Sequence, residues 1–271
     1  MIEEILKSNR RLRIEHKNIL KEADAEGAQI FEVLTKYLCD YCEYFTLNAL
    51  QTEQRYLNFV EDYISNFKTF NESNQYPYET GKVKTFDRVT YDIALILSVF
   101  FIPARYKMFR ELLNLLKLQN GKILIIGVGA AIELELIYTL LPGKEVESYD
   151  LSISSFVKER FANKKIFEKE FIFDPLNLYQ NILAIELLEH LSEPINFVKN
   201  CSQSLVHKGG MYITTASNMP QFDHLFNFHD IDFDTQLESI GLSIKTKLKL
   251  AHPLLNKNIE SYNTFYHLIK N

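Results

Sequence analysis

From Ile2 to about Leu118, apolar residues recur at steps of three and four, the period of helices that each bury one face. Ile30, Val33, Leu34, Tyr37 and Leu38, followed by Tyr41, Tyr44 and Phe45, trace one such face; Tyr56, Phe59, Val60, Tyr63, Ile64 and Phe67 trace a second. Only Gly27, Gly81, Pro77 and Pro103 punctuate this half. Residues 2–26 carry a thin stripe (Ile2, Ile5, Leu6, Leu12, Ile19, Leu20) among many charges. Such a stripe fits an arm laid over the body or over a partner subunit, so a homodimer is a plausible expectation. Residues 71–84, polar and broken by Pro77, read as a loop between helices and as the most mobile stretch. The longest apolar run, Ile93 to Ile102, has about half the roughly 20 residues a membrane-spanning helix needs, and Pro103 closes it. It reads as a buried helix.

From Gly121 onward the pattern changes to short β-branched runs alternating with helical ones, the mark of βα units around a parallel sheet. Residues 122–126 form an unbroken apolar first strand, buried on both faces, and a helix over 131–141 follows. Strands are expected at 145–149, 170–173, 181–188 and 211–216, with helices at 152–161 and 192–205. The second of these helices is expected to end in His207-Lys208-Gly209-Gly210, as basic residues and then glycine favour a helix C-terminus. His207 is then a charge partner for that terminus. A helix over 230–240 precedes two last strands, 242–250 and 263–270, joined by a short loop and therefore antiparallel at the sheet edge. The expected fold is α/β, a doubly wound seven-stranded mainly parallel sheet of Rossmann-like type, with an N-terminal all-helical domain. Residues 1–118 are the helical domain and 119–271 the sheet domain.

Composition excludes several classes. The chain has 271 residues, 46% hydrophobic and 24% charged, with nine glycines and seven prolines, which is neither disordered nor fibrous. A net charge of −5 leaves no basic excess for a phosphate backbone or an anionic membrane, so neither nucleic acid nor a membrane is an expected partner. Three cysteines are too few for a disulfide framework. The acidic Met1-Ile2-Glu3-Glu4 start is unlike a secretory signal, and a cytoplasmic location is expected. Cys39-Asp40-Tyr41-Cys42 has Cys-x-x-Cys spacing but no second pair nearby and lies in an aromatic-rich helix. Core packing is the better reading, and no metal is expected.

In doubly wound sheets the ligand sits at the carboxyl ends of the strands. The first strand runs into Gly127-Val128-Gly129-Ala130-Ala131, where backbone can approach a ligand and helix amides point at it. Read alone, this is either such a site or an unliganded tight turn. Asp150 ends the second strand 23 residues after Gly127, near the separation at which a carboxylate meets ribose hydroxyls. It also suits an N-cap before Ser152.

The succession Ile-Leu-Ile-Ile-Gly127-Val-Gly129, Ser-Tyr-Asp150-Leu-Ser152, Ile185-Glu186-Leu-Leu-Glu189-His190-Leu191-Ser-Glu-Pro194 and Leu205-Val-His-Lys-Gly209-Gly210-Met-Tyr-Ile-Thr-Thr resembles the class I S-adenosylmethionine-dependent methyltransferases. It is most similar to their small-molecule branch, which includes the ubiquinone- and menaquinone-type enzymes. The resemblance covers about Lys107 to Asn271. It implies S-adenosylmethionine as cofactor and S-adenosylhomocysteine as product. It places Gly127, Val128 and Gly129 beside the methionine part, Asp150 and the adjoining Leu151 at the ribose, Asp174 by the adenine amino group and Glu186 beside the sulfonium. It also implies a seventh strand inserted antiparallel beside the sixth. Two positions depart from the family: Ile125 stands where an acid usually precedes the first glycine, and Ala131 replaces a third glycine. Alanine fits there if its φ is negative, and the N-terminal helices can supply the missing anchor for the methionine amino group.

Methyl transfer from a sulfonium is an in-line displacement whose leaving group needs no acid, so alignment, exclusion of water and removal of an acceptor proton are what the protein provides. His190 and His224 are the candidate catalytic bases. Asp223 is placed to orient an acceptor, and Phe222, Phe226, Phe228 and Phe233 to wall an apolar or planar small molecule. Arg105 has the fork that suits the cofactor carboxylate, and Tyr91 and Asp92 are lid candidates. Three rivals stand beside methyl transfer to an O or N atom: aminocarboxypropyl transfer from the same cofactor, nicotinamide-dependent oxidoreduction, which the Ile132 break in Gly-x-Gly-x-x-Gly disfavours, and a degenerate non-catalytic cofactor-binding subunit.

Overall fold

The computed structural model describes residues 1–73, 75–80, 85–174, 176–229, 231–252 and 260–271. The chain opens with helices α1 Ile2–Ser8, α2 Arg10–Glu22, α3 Ala25–Tyr44, α4 Ala49–Ser73, α5 Pro77–Thr80, α6 Arg88–Phe101 and α7 Pro103–Lys117. Then follow β1 Ile123–Ile126, α8 Ile132–Leu140, β2 Val146–Asp150, α9 Ser155–Arg160, β3 Lys165–Glu168, β4 Tyr179–Ala184 and a 3-10 turn at Leu188–His190. The remainder is α10 Pro194–Gln203, β5 Leu205–Ser217, α11 Phe233–Ser239, β6 Leu242–Ala251 and β7 Tyr262–Lys270. Among the described residues no single helix is long and apolar enough to cross a membrane.

The seven strands lie in the order β3-β2-β1-β4-β5-β7-β6. All neighbouring pairs are parallel except those of β7, which is antiparallel to both β5 and β6. The expected doubly wound, mainly parallel sheet is therefore present, with the last strand inserted beside the fifth. Strand order reverses between β1 and β4, and a crevice opens there at their carboxyl ends.

Short polar side chains start several helices. Asn9, Asp24, Asp87 and Ser154 each accept a hydrogen bond from a first-turn amide of α2, α3, α6 and α9, which satisfies donors that a helix cannot satisfy itself. Pro103 opens α7, and the axes of α6 and α7 differ by 86°, because Ile102 is held extended ahead of the proline. The sharp bend brings Arg88 and Tyr91 of α6 and Arg105 of α7 to the crevice. One apolar cluster runs from α1 and α2 through α3, α6 and α7 to one face of the sheet; a second fills the other face under α10 and α11. The stripe of residues 2–26 is spent on this body, with Ile2, Ile5, Leu12 and Ile19 buried.

Several boundaries differ from expectation. The third strand is Lys165–Glu168, not 170–173. It is a half-exposed edge whose charged ends mask it in a hydrophobicity pattern, whereas Phe171 and Phe173 are loop residues that carry the stronger apolar signal. Strand β4 ends at Ala184, and α9 begins only at Ser155. Helix α10 stops at Gln203, so His207 is an exposed strand residue rather than a charge partner at a helix end. Gly209 and Gly210 belong to β5, whose register against β4 jumps from the Tyr179–Leu205 pair to the Asn181–Gly210 pair. Of residues 71–84, Asn71–Ser73 complete α4 and Pro77–Thr80 form α5; residues 74 and 81–84 lie outside the described residues, as do Asp230 and most of the loop between the last two strands.

Candidate active site

The turn after β1 has Gly127 at φ 80° and Gly129 at φ 53°, the left-handed region that glycine enters without steric cost. Ala131 is also there, at φ 57°, which corrects the expectation of a negative φ. A left-handed alanine costs about 1–2 kcal/mol, and neighbouring contacts hold this one in place. The Ala131 amide donates to the Val128 carbonyl at 2.8 Å, and the Tyr37 hydroxyl of α3 donates to the Ala130 carbonyl at 2.7 Å. Arg88 donates to the Gly129 and Ser152 carbonyls. The helical N-terminal region thus fixes the geometry of a turn that belongs to the sheet.

Asp150 lies directly across this turn. One carboxylate oxygen accepts from the Gly129 amide and the other from the Ser152 amide, both at 2.8 Å. The side-chain cap of α9 comes from Ser154 instead. A carboxylate offers about four lone-pair sites, so two remain for a ligand diol.

Two recesses of about 230 Å³ each meet at Gly127, Asp150 and Leu187. The first, under α6 and α7, is lined by the glycine turn with Val128, by Glu133 and Glu186, and by Arg105 and His190. The second is mostly apolar, with Tyr149, Leu151, Phe171, Phe173 and Phe197 around Lys169 and Glu170. Leu151 is 77% exposed at its rim. Asp174 lines neither recess; it accepts from the Leu176 amide in a turn. Its expected place at the end of the third strand is corrected because that strand ends at Glu168, and the second recess has Glu170 as its acid besides Asp150.

Ile125, where an acid was missed, is buried in β1, but the first recess has other charges. Arg105 is 3.0 Å from Glu186 and donates to Ser98 Oγ at 3.2 Å. Glu186 sits at φ 51°, with its amide donating to Thr214 Oγ1 at 2.6 Å and its carboxylate accepting from Asn263. A strained non-glycine residue at a strand end is a mark of functional sites. Glu133, in the first turn of α8, is buried, and loss of hydration raises it to about 7 despite Arg105 nearby. Its unfolded value is 4.5, so its folded form binds the proton more tightly. Stability from this group is full below pH 4.5 and falls as pH rises to 7. Urea denaturation at pH 5 and pH 8 should show wild type losing about 2.5 kcal/mol more than Glu133→Gln over that interval; equal losses would place the Glu133 charge in solvent.

His190 lines the first recess. Its Nδ1 lies 3.0 Å from the Asp223 carbonyl oxygen and 3.5 Å from the Asp223 carboxylate, which leaves Nε2 for other partners. Burial pulls its pKa down, but the Asp223 and Glu189 charges outweigh burial and raise it. His224 lies behind it, with ring centroids 5.0 Å apart, and it does not line the recess. Burial and then the His190 charge push His224 well below the usual range. Glu189 is fully buried and raised to about 8 by burial and the Glu186 charge.

Of the four expected aromatic wall residues, Phe222 packs with Phe59, Phe86 and Tyr91 beside the recess. Phe226, Phe228 and Phe233 instead pack in the core under β7, a correction that follows from the chain turning back onto the sheet after His224. Tyr91 lines the recess, whereas Asp92 is buried and ion-paired with Arg88 at 2.8 Å. Cys39 and Cys42 are both free thiols, and Cys42 lies 3.3 Å from Thr52 Oγ1. Sequence reasoning passed over Arg88, Glu133 and Glu170. Glu133 carried a usable signal, an acid in the first helical turn after a glycine turn; Arg88 carried none, being 39 residues from the turn it holds.

By sequence, the chain matches no family profile and no curated protein. By structure, it is similar to the pyocyanin biosynthetic protein PhzM, with a TM-score of 0.53 at 12% identity over 80% of this chain and 72% of that one. It is also similar to the 1,6-didemethyltoxoflavin-N1-methyltransferase of Burkholderia thailandensis, solved with S-adenosylhomocysteine, with a TM-score of 0.49 at 14% identity over 62% and 78%. An O-methyltransferase from a Brevibacillus brevis polyketide synthase multienzyme gives 0.45 at 17% identity over 64% and 78%. With this strand order, the chain has the Rossmann-like, doubly wound fold expected from its sequence.

Proposed function

We propose that this protein transfers a methyl group from S-adenosylmethionine to an O or N atom of a small molecule. The observation that carries the reading is the pair of recesses joined at Gly127 and Asp150, on the switch point of the sheet. The cofactor's methionine part occupies the first recess, its carboxylate toward Arg105 and its ammonium between Glu133 and Glu186. Asp150 takes the ribose hydroxyls, and the adenine lies among Tyr149, Phe171 and Phe173 with Glu170 at its amino group. Gly127, Val128 and Gly129 border the sulfur end. The glycine turn facing a strand-end carboxylate supports the choice of a nucleoside-bearing cofactor.

Residues 1–118 act as the cap that supplies the acceptor pocket, and residues 119–271 hold the cofactor. In the reaction the acceptor lone pair attacks the methyl carbon, the carbon–sulfur bond breaks with its electrons passing to sulfur, and His190 takes the acceptor proton. Phe59, Phe86, Tyr91 and Phe222 form the apolar wall against which a planar acceptor stacks. His224 supports His190 rather than touching substrate. The protein's three free thiols suit a reducing, cytoplasmic setting.

Calorimetric titration tests the cofactor assignment: S-adenosylhomocysteine should bind one per chain with micromolar Kd. No binding at millimolar ligand would remove the enzyme reading and leave a structural subunit. With an acceptor in hand, a product 14 Da heavier identifies methyl transfer, whereas a gain near 101 Da identifies aminocarboxypropyl transfer.

A further inference from the structure

At the wall of the first recess and behind it, the described residues hold a compact group of potential metal ligands. Glu189, His190 and His224 each present a ligand atom, and the three atoms lie within 4.8 Å of one another. Neither carboxylate oxygen of Glu189 has a hydrogen-bond partner, although the residue is fully buried, and His224 Nδ1 is likewise buried and unpartnered. A buried carboxyl group with no partner on either oxygen leaves two polar atoms desolvated and unsatisfied, which a cation between the three groups would satisfy.

We propose that Glu189, His190 and His224 bind one divalent transition-metal ion, best matched by Zn2+. Two imidazoles and one carboxylate are a ligand set that Zn2+ and non-haem Fe2+ favour. In a tetrahedral zinc site with bonds near 2.1 Å the ligand atoms are about 3.4 Å apart, so the three groups close by roughly an ångström on loading. The surroundings already supply an outer partner: His190 Nδ1 lies 3.0 Å from the Asp223 backbone carbonyl oxygen, with the Asp223 carboxylate 3.5 Å away, and a hydrogen bond of that kind on the outer ring nitrogen fixes ring orientation and ligand basicity. The ligands converge because the Leu225 and Phe226 amides both donate to the Glu189 carbonyl, which clamps the segment carrying His224 to the turn carrying the other two.

With three protein ligands, a fourth position stays open, and His190 lies on the wall of the first recess. An acceptor hydroxyl bound there would be acidified by the cation, so the loaded protein would not need His190 as a base. That consequence rests on the methyl-transfer reading; the metal site does not.

The test uses full-length protein freed of metal by dialysis against a chelator. Calorimetry with Zn2+ should give one site per chain, and Co2+ should add visible d–d bands. Glu189→Gln and His224→Ala should each weaken Zn2+ at least 100-fold and abolish the bands, while Asp223→Asn, which leaves the carbonyl contact to His190 in place, should weaken it less than about tenfold. Glu189→Gln keeps the side-chain volume and puts a neutral amide in place of a buried acid that has no hydrogen-bond partner, so it should fold about as well as wild type. Absence of a stoichiometric site overturns the proposal, and so does zinc binding that persists in both ligand variants, as binding at Cys39 and Cys42 would. S-adenosylhomocysteine titration of the same samples reports on the cofactor site separately, so failure of one reading is not failure of the other.

Discussion

Asp150→Ala should weaken S-adenosylhomocysteine binding about 100-fold while the protein stays folded. In this reading the carboxylate makes two charge-assisted hydrogen bonds to the ribose diol, each worth about 1.5–3 kcal/mol, and a loss near 3 kcal/mol is about two decades in Kd. The same oxygens hold the Gly129 and Ser152 amides at 2.8 Å, so the variant also loosens the turn. Asp150→Asn separates the two effects: its amide oxygen can still accept from one backbone amide, but it cannot receive both hydroxyls. Calorimetry should show the asparagine variant recovering most of the melting temperature and little of the affinity. If both variants bind like wild type, Asp150 is a turn clamp and the ribose lies elsewhere.

The second large effect is on stability. Arg105→Met should lower the melting temperature by about 10 °C, because removing one partner of a buried ion pair costs about 3–5 kcal/mol and a chain of this size loses roughly 2–4 °C per kcal/mol. The Arg105 side chain is 8% exposed and that of its partner Glu186 is 18% exposed. Glu133, buried in the same recess, also loses its nearby cation. The methionine retains much of the packing over Phe109, whose ring centroid lies 5.3 Å from the guanidinium carbon. Adding Glu186→Gln to Arg105→Met should restore at least half of the loss, since the stranded carboxylate is then gone. Additive losses in the double variant would mean that the pair is not what holds α7 to the end of β4.

The interplay of these residues marks where sequence and structure divide the information. The class of fold was legible because βα units write their period into the chain, and because buried parallel strands such as Ile123–Ile126 are unbroken apolar runs. Gly127, Gly129 and Asp150 were legible for a local reason: a tight strand-to-helix turn and a strand-end acid lie within one βα unit, so their spacing in sequence is their spacing in space. The third strand was not, since an exposed edge such as Lys165–Glu168 has weak hydrophobic contrast, and Asp174 was misplaced with it.

The residues that complete the recess come from distant segments. Arg88 reaches the Gly129 carbonyl across 41 positions, Tyr37 reaches Ala130 across 93, and Asn263 reaches Glu186 across 77. No period or motif links such pairs. Sequence alone determined a Rossmann-like sheet with a glycine turn and an acid at the end of the second strand. Only the tertiary structure decided that the N-terminal helices pin that turn, and that Glu189, His190 and His224 meet. Hydrophobic periodicity reports which face of an element is buried, whereas the partner buried against that face is set by how the elements pack.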